Sequence, residues 1–209
     1  GTRQDGLNFT DDMTSAILAL VNPGLVFLSQ RKAGDGVRTL SVHAKGSTFI
    51  GLTRRPDGMF EMTRYADMIA AAGACAAFVG ASLTALATEA RIEADKDTLS
   101  GLKRLIGAGE ADKATAKLEA LGAAGADARS AILAMASPAA AGVVSVLYCR
   151  NNVVEDAETF SVMTNAQDAT WIVFAPASPD GPVILERSSV AELTARVSVG
   201  VVARLGVTG

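Results

Sequence analysis

Ser15-Ala16-Ile17-Leu18-Ala19-Leu20 recurs 115 residues later as Ser130-Ala131-Ile132-Leu133-Ala134-Met135, and a proline follows three residues after each copy, Pro23 and Pro138. Working outward, Thr39-Leu40-Ser41-Val42 matches Thr159-Phe160-Ser161-Val162, and Thr48-Phe49-Ile50 matches Thr170-Trp171-Ile172. Pro56-Asp57-Gly58 then matches Pro179-Asp180-Gly181, and Arg64 matches Arg187. Each match is weak alone, but their preserved order predicts a duplicated chain.

Each unit reads as helix, four strands, helix. The opening helices are predicted near 10–21 and 127–136. Thr10, Asp11 and Asp12 offer a cap and negative charge to the first. The prolines end both, because the residue before proline is pushed out of helical geometry. Strands are expected near 25–31, 37–44, 47–54 and 59–63, and again near 143–150, 158–165, 169–175 and 182–186. The separators Gly34-Asp35-Gly36, Gly46 and Asp57-Gly58 are turn formers, and links this short demand antiparallel pairing.

Alternation then assigns faces. Leu40, Val42 and Ala44, with Phe160, Val162 and Thr164, are expected beneath the helices. Ile50, Leu52, Phe60 and Met62 are placed on that same face, as are Ile172, Phe174, Val183 and Leu185. The opposite face, with Thr39, Ser41 and His43 against Thr159, Ser161 and Met163, reads as partly solvated. The closing helices are expected from about Tyr65 through Leu86 and over 189–205. Ser189-Val190-Ala191-Glu192 fits a capping box, and Val190, Leu193, Val197, Val201 and Leu205 follow at helical spacing.

Residues 89–121 carry seven acidic and six basic side chains with narrow leucine stripes. They read as two short helices broken near Gly107–Gly109, a solvated helical hairpin or a partner-binding arm. The predicted fold is α+β: two α-ββββ-α units related by a pseudo-two-fold, with antiparallel strands in one sheet or two. The divisions are 1–88, a charged helical insert 89–126, and 127–209, expected to form one compact domain.

Composition narrows the function. Apolar residues are 49% and charged residues 20% of the 209-residue chain, which excludes global disorder. A net charge of −3 argues against nucleic acid as partner. One histidine and two cysteines nearly exclude a zinc site, and no cofactor is expected. Met68 to Thr88 carries no charge, but its Ala and Gly contribute little transfer energy, so a buried helix rather than a membrane span is expected. The opening residues show no secretory pattern, and the expected location is cytoplasmic.

The search for chemistry is mostly negative. Phosphate-cradling and nucleophile-elbow motifs are missing. Ser100-Gly101-Leu102-Lys103 matches Ser-x-x-Lys without its companion motifs. His43, Cys149 and Ser100 are the best residues an enzyme reading could use, and they form no recognisable triad. No enzyme is expected. A charge asymmetry is more informative. Arg31, Lys32 and Arg38 on the first hairpin, with Arg54 and Arg55 at the next turn, face Arg150, Glu155, Asp156 and Glu158 on the second unit's hairpin. These five basic residues are the candidate partner-binding residues, able to orient a partner or a second copy.

The order of parts resembles the EspG family, cytosolic chaperones of ESX (type VII) secretion. The likeness is carried by Ile17-Leu18-Ala19-Leu20-Val21-Asn22-Pro23 and Ile132-Leu133-Ala134-Met135-Ala136-Ser137-Pro138, each followed by strands, and by Thr170-Trp171-Ile172-Val173 before the last strand. It spans nearly the whole chain. It implies a two-fold-like α+β chaperone that shields a helical secretion substrate, with no single binding residue carried over. The expected function is thus a protein-binding chaperone or adaptor with a helical partner. The alternatives are a homo-oligomeric structural or small-ligand-binding protein, and an enzyme with an unrecognised site.

Overall fold

The computed structural model describes residues 10–34, 36–55, 57–86, 88–175 and 181–205. Asp35, Pro56, Pro179, Asp180 and the side chain of Leu205 lie outside the described residues. The elements in chain order are α1 (Asp11–Val21), β1 (Leu25–Ala33), β2 (Gly36–Lys45), β3 (Thr48–Arg54), β4 (Phe60–Tyr65) and α2 (Met68–Phe78). Then come β5 (Arg91–Ala94), α3 (Lys96–Gly107), α4 (Ala111–Ala120), α5 (Gly125–Ala136), β6 (Ala140–Arg150), β7 (Val153–Thr164), β8 (Thr170–Phe174), β9 (Val183–Ser188) and α6 (Val190–Leu205).

The nine strands among the described residues join one open sheet in the order β4-β3-β2-β1-β6-β7-β8-β9-β5. The sequence left open one sheet or two. The β1–β6 pairing decides it, with Leu25 opposite Tyr148 and Arg31 opposite Gly142. Every pairing is antiparallel. The β6–β7 hairpin turns on Asn151 and Asn152, both at positive φ (51° and 64°), the backbone a two-residue hairpin turn requires.

Two helix layers flank the sheet. One face carries α2 and α6 over Phe27, Val42, Val146, Val162 and Ile172, all fully buried. On the other face α1 crosses β2 and β3, while α5 packs with α3 and α4 over Trp171 and Leu185. The face expected to be partly solvated is therefore also helix-covered.

The register corrects the face assignment. Val42 pairs with Gly51 and His43 with Ile50, so Ile50 and Leu52 lie on the α1 face, opposite to Val42. Leu52 pairs with Met62 and Arg54 with Phe60, which places Phe60 and Met62 there too, both exposed. In the second half Val162 pairs with Ile172, so Ile172 and Phe174 stay on the α6 face as expected, whereas Val173 pairs with Leu185, which places Leu185 and Val183 on the α5 face. The match of Ile50 with Ile172 is thus one residue out of register, and a one-residue slip turns a side chain to the other face.

The first closing helix is far shorter than the expected Tyr65-to-Leu86 span. Tyr65 ends β4, and Asp67 caps α2 by accepting the Ala70 N–H at 2.8 Å. At the other end Gly80 (φ +84°) donates to Ala77 and Ala81 donates to Ala76, a Schellman stop. A Cβ on Gly80 would lie 2.5 Å from that of Ala140, so both backbone and packing demand glycine. Residues 81–86 then leave α2 as an irregular strap. Ser82 Oγ donates to Asp168 at 2.6 Å, and Ser82 N–H donates to Thr170 Oγ1 at 2.8 Å. Thr164 Oγ1 donates to the Gly80 carbonyl at 2.7 Å.

The strap delivers the chain to β5, which the sequence reading placed inside a purely helical insert. Ile92 and Ala94 alternate inward and β5 adds to β9 at the sheet edge. The two helices after it form as expected, but they do not decorate the surface. Leu102, Ala114 and Leu118 are fully buried against Trp171 and α5.

Candidate partner-binding surface

The Ser-Ala-Ile-Leu-Ala sequence occurs on two helices, with Ile17 on α1 and Ile132 on α5. Ile132 on α5 is 2% exposed, and Ile17 on α1 is 39% exposed. The difference is the cover. α5 lies under α3 and α4, and its Ser130 hydroxyl receives the Trp171 indole N–H at 3.0 Å. α1 has no such cover among the described residues. Only Ala19 is buried on it, and Met13, Leu18 and Val21 are exposed with Ile17. Arg64 of β4 ties its first turn down by donating to Asp12 at 2.9 Å.

Beside α1 the sheet ends in β4. Phe60 and Met62 are more than half exposed, as is Met59 just before them. Scattered apolar side chains on a surface need no explanation, but a contiguous set does. Met13, Ile17, Phe60 and Met62 all belong to the α1 face of one half.

The five basic residues come together at one end of the sheet. The β1–β2 turn carries Arg31, Lys32 and Arg38, with Arg31 directly opposite Arg38. The β3–β4 turn carries Arg54 and Arg55, and β2 and β3 run antiparallel, so both turns sit at the same end. They do not share a face. Arg31 lies 5.4 Å over the Phe78 ring on the α2 side, and Arg54 points with Ile50 and Leu52 to the α1 side. Arg55 pairs with Asp57 at 3.1 Å. The acidic β6–β7 hairpin projects from the opposite end, because β6 runs antiparallel to β1. There Arg204 of α6 binds both Asp156 and Glu158 and stacks 4.8 Å over Tyr148. The acidic end is thus largely self-neutralised, whereas at the basic end only Arg55 has an ion pair among the described residues.

A groove of about 770 Å³ runs between α6 and β7–β9, floored by Phe160 and Phe174 and flanked by the Arg196–Glu186 and Arg204–Glu158 pairs. No motif in the sequence signals it, since its walls come from β7, β8, β9 and α6, which are separated along the chain.

The residues an enzyme would use are inert or unassembled. Burial holds His43 below the ordinary imidazole value, and its Nε2 meets Ser41 Oγ at 3.2 Å. Ser100 Oγ donates to the Lys96 carbonyl, one helical turn back. Burial raises the Cys149 thiol, and it pushes buried Cys75 up to about 11, so neither is a thiolate at neutral pH. Among the described residues no cluster of His, Cys, Asp and Glu is placed to hold a metal. No helix among them is long and apolar enough to cross a membrane.

No family model and no curated protein matches the chain. A solved structure does. The fold resembles that of EspG5. That structure is the Mycobacterium tuberculosis type VII secretion system chaperone EspG5 in complex with the PE25–PPE41 dimer. The match covers 90% of this chain and 76% of EspG5, with a TM-score of 0.65 and 11% identity. At that identity the shared property is the fold. The α+β architecture expected from the likeness to the EspG family is therefore present over nearly the whole described chain.

Proposed function

We propose that the chain is a cytoplasmic protein-binding chaperone or adaptor that shields a helical segment of a secreted partner. One observation carries the reading. The molecule covers Ile132 on α5 with its own helix pair α3–α4, and among the described residues it leaves Ile17 on α1 partly exposed. The surface that takes helices in one half stands open in the other. The likeness to EspG5, solved with a bound protein dimer, supports the same function. The basic end, Arg31, Lys32, Arg38 and Arg54 with Arg55 paired to Asp57, would orient an acidic partner during encounter. The division into units 1–88, 89–126 and 127–209 belongs to this proposal, with the insert serving as built-in cover for the second unit.

The test begins with capture of a partner from an extract of the source organism, identified by mass spectrometry. Hydrogen exchange of the purified complex then locates it. Slowed exchange over 11–21 and 60–65 is the expected result, and slowed exchange confined to 96–120 would move the site to the insert. Ile17→Asp should weaken binding at least about tenfold, a loss of about 1.4 kcal/mol. Leu133→Asp, equally exposed on α5, should leave it unchanged.

A further inference from the structure

The two outer strands of the sheet are unequal. β5 closes one edge with four residues, and its exposed side is occupied by the Arg91–Glu93 pair at 3.0 Å. Short and charged edges resist further pairing. β4 closes the other edge with six residues, flanked by Met59, and no strand pairs with its outer side among the described residues. Its apolar side chains Phe60 and Met62 are 64% and 61% exposed.

The hydrogen-bond parity of this edge follows from the turn. Arg55 N–H donates to the Met59 carbonyl at 2.8 Å. Alternation then turns the backbone groups of Glu61, Thr63 and Tyr65 toward β3 and those of Phe60, Met62 and Arg64 outward. We infer that the outward groups take β4 of a second copy, antiparallel, about a two-fold axis normal to the sheet at Met62.

The strand is self-complementary in that register. An axis normal to the sheet preserves faces, so paired positions must have the same parity, and 62 opposite 62 meets this condition. Met62 then lies on the partner copy's methionine, and Phe60 lies across from Arg64, an aromatic face under a guanidinium. On the other face Met59 meets Tyr65 and Glu61 meets Thr63. No like charges stand directly opposite. All seven positions from 59 to 65 are paired. The two α1 faces end on the same side of the joined sheet, separated by four β4 aromatic and methionine side chains. The pairing leaves Ile17 and α1 open but occupies β4, so it shares Phe60 and Met62 with the partner site proposed above, and only exchange over 11–21 reports on that site alone.

Sedimentation velocity on the full chain, without any partner, tests this. The expected species has twice the chain mass. Met62→Lys, at an exposed position that does not threaten folding, should raise the dimer dissociation constant at least about a hundredfold by setting two ammonium groups across the axis. Val199→Lys, as exposed on α6, should leave it unchanged. Met62→Cys in a Cys149→Ser background should cross-link under mild oxidation, because directly opposed Cα atoms about 5.5 Å apart suit a disulfide. A wild-type monomer at every concentration would overturn the inference. So would a dimer that survives Met62→Lys and does not cross-link at position 62. Either result would leave the Ile17 reading untouched.

Discussion

The first half of the molecule and the second are built from the same order of elements, and they differ in how they are finished. In the second half α3 and α4 cover α5, β5 covers the edge of β9, and Trp171 fills the space beneath. In the first half α1 is anchored through Ala19 and an exposed Arg64–Asp12 pair, and among the described residues β4 is left as an open edge. Apolar surface that stays in water contributes nothing to folding, so selection for stability alone would not retain it. Both halves feed the core under α2 and α6, so the contrast concerns the other face: it is covered in the second half, and in the first half it leaves surface to offer.

The largest effects should separate the halves by core burial. Ile132→Ala should cost about 2–5 kcal/mol in denaturant unfolding, because it opens a cavity under two helices. Ile17→Ala should cost less than about 1 kcal/mol, since its side chain already meets water. Equal losses would mean that α1 is covered in solution and would break the comparison.

The next effect concerns the strap that joins the halves. Asp168 accepts from both Ser82 and Thr84 and holds φ +60°. Asp168→Gly keeps that backbone accessible and removes the acceptor. It should destabilise by about 1–2 kcal/mol and speed amide exchange over 80–84. A loss of stability without faster exchange there would show that the strap is held by Thr164 and Thr170 instead.

The first half should show a pH effect of its own just below neutrality. His43 sits half-buried under α1, with its Nδ1 buried and unpartnered, where the second half has Met163. Its pKa is held below 6.5 by burial. Above 6.5 both folded and unfolded chains carry the neutral ring, and the contribution is constant. As pH falls below 6.5 the unfolded chain takes up the proton first, so stability falls. His43→Gln should flatten this part of the profile in thermal melts at stepped pH. An unchanged slope would place the acid sensitivity elsewhere.

The smallest effect should come from the clasp at the start of α1. Both partners of the Arg64–Asp12 pair are exposed, so Asp12→Asn should change stability by less than about 0.5 kcal/mol. A larger loss would mean that α1 depends on that clasp more than its packing suggests.

Much of the architecture was readable in the chain. Proline after each Ile-Leu-Ala run marked both opening helices, and Gly and Asp marked the turns between strands. These signals are local: they depend on backbone preferences of a few residues. The first closing helix was misread because Ala and Gly continue a helical pattern past Gly80, and only the approach of Ala140 explains the stop. β5 was missed because Arg91-Ile92-Glu93-Ala94 is too short and charged to read as a strand without β9 beside it. Of the candidate site, the basic cluster was legible as residues, but its gathering at one end was not, since it depends on strand direction. The bare α1 face was not legible at all. Ile17 and Ile132 sit in nearly identical hexapeptides.

By itself, then, the sequence determined most of the helices and strands and their order, β5 and the bounds of α2 excepted, because those follow from local propensity and period. The tertiary structure alone decided that β1 and β6 join two short sheets into one. It also decided which face each strand presents, and which of two like helices is covered. Those outcomes rest on contacts between residues distant in the chain, and no local pattern specifies which surface another segment will reach.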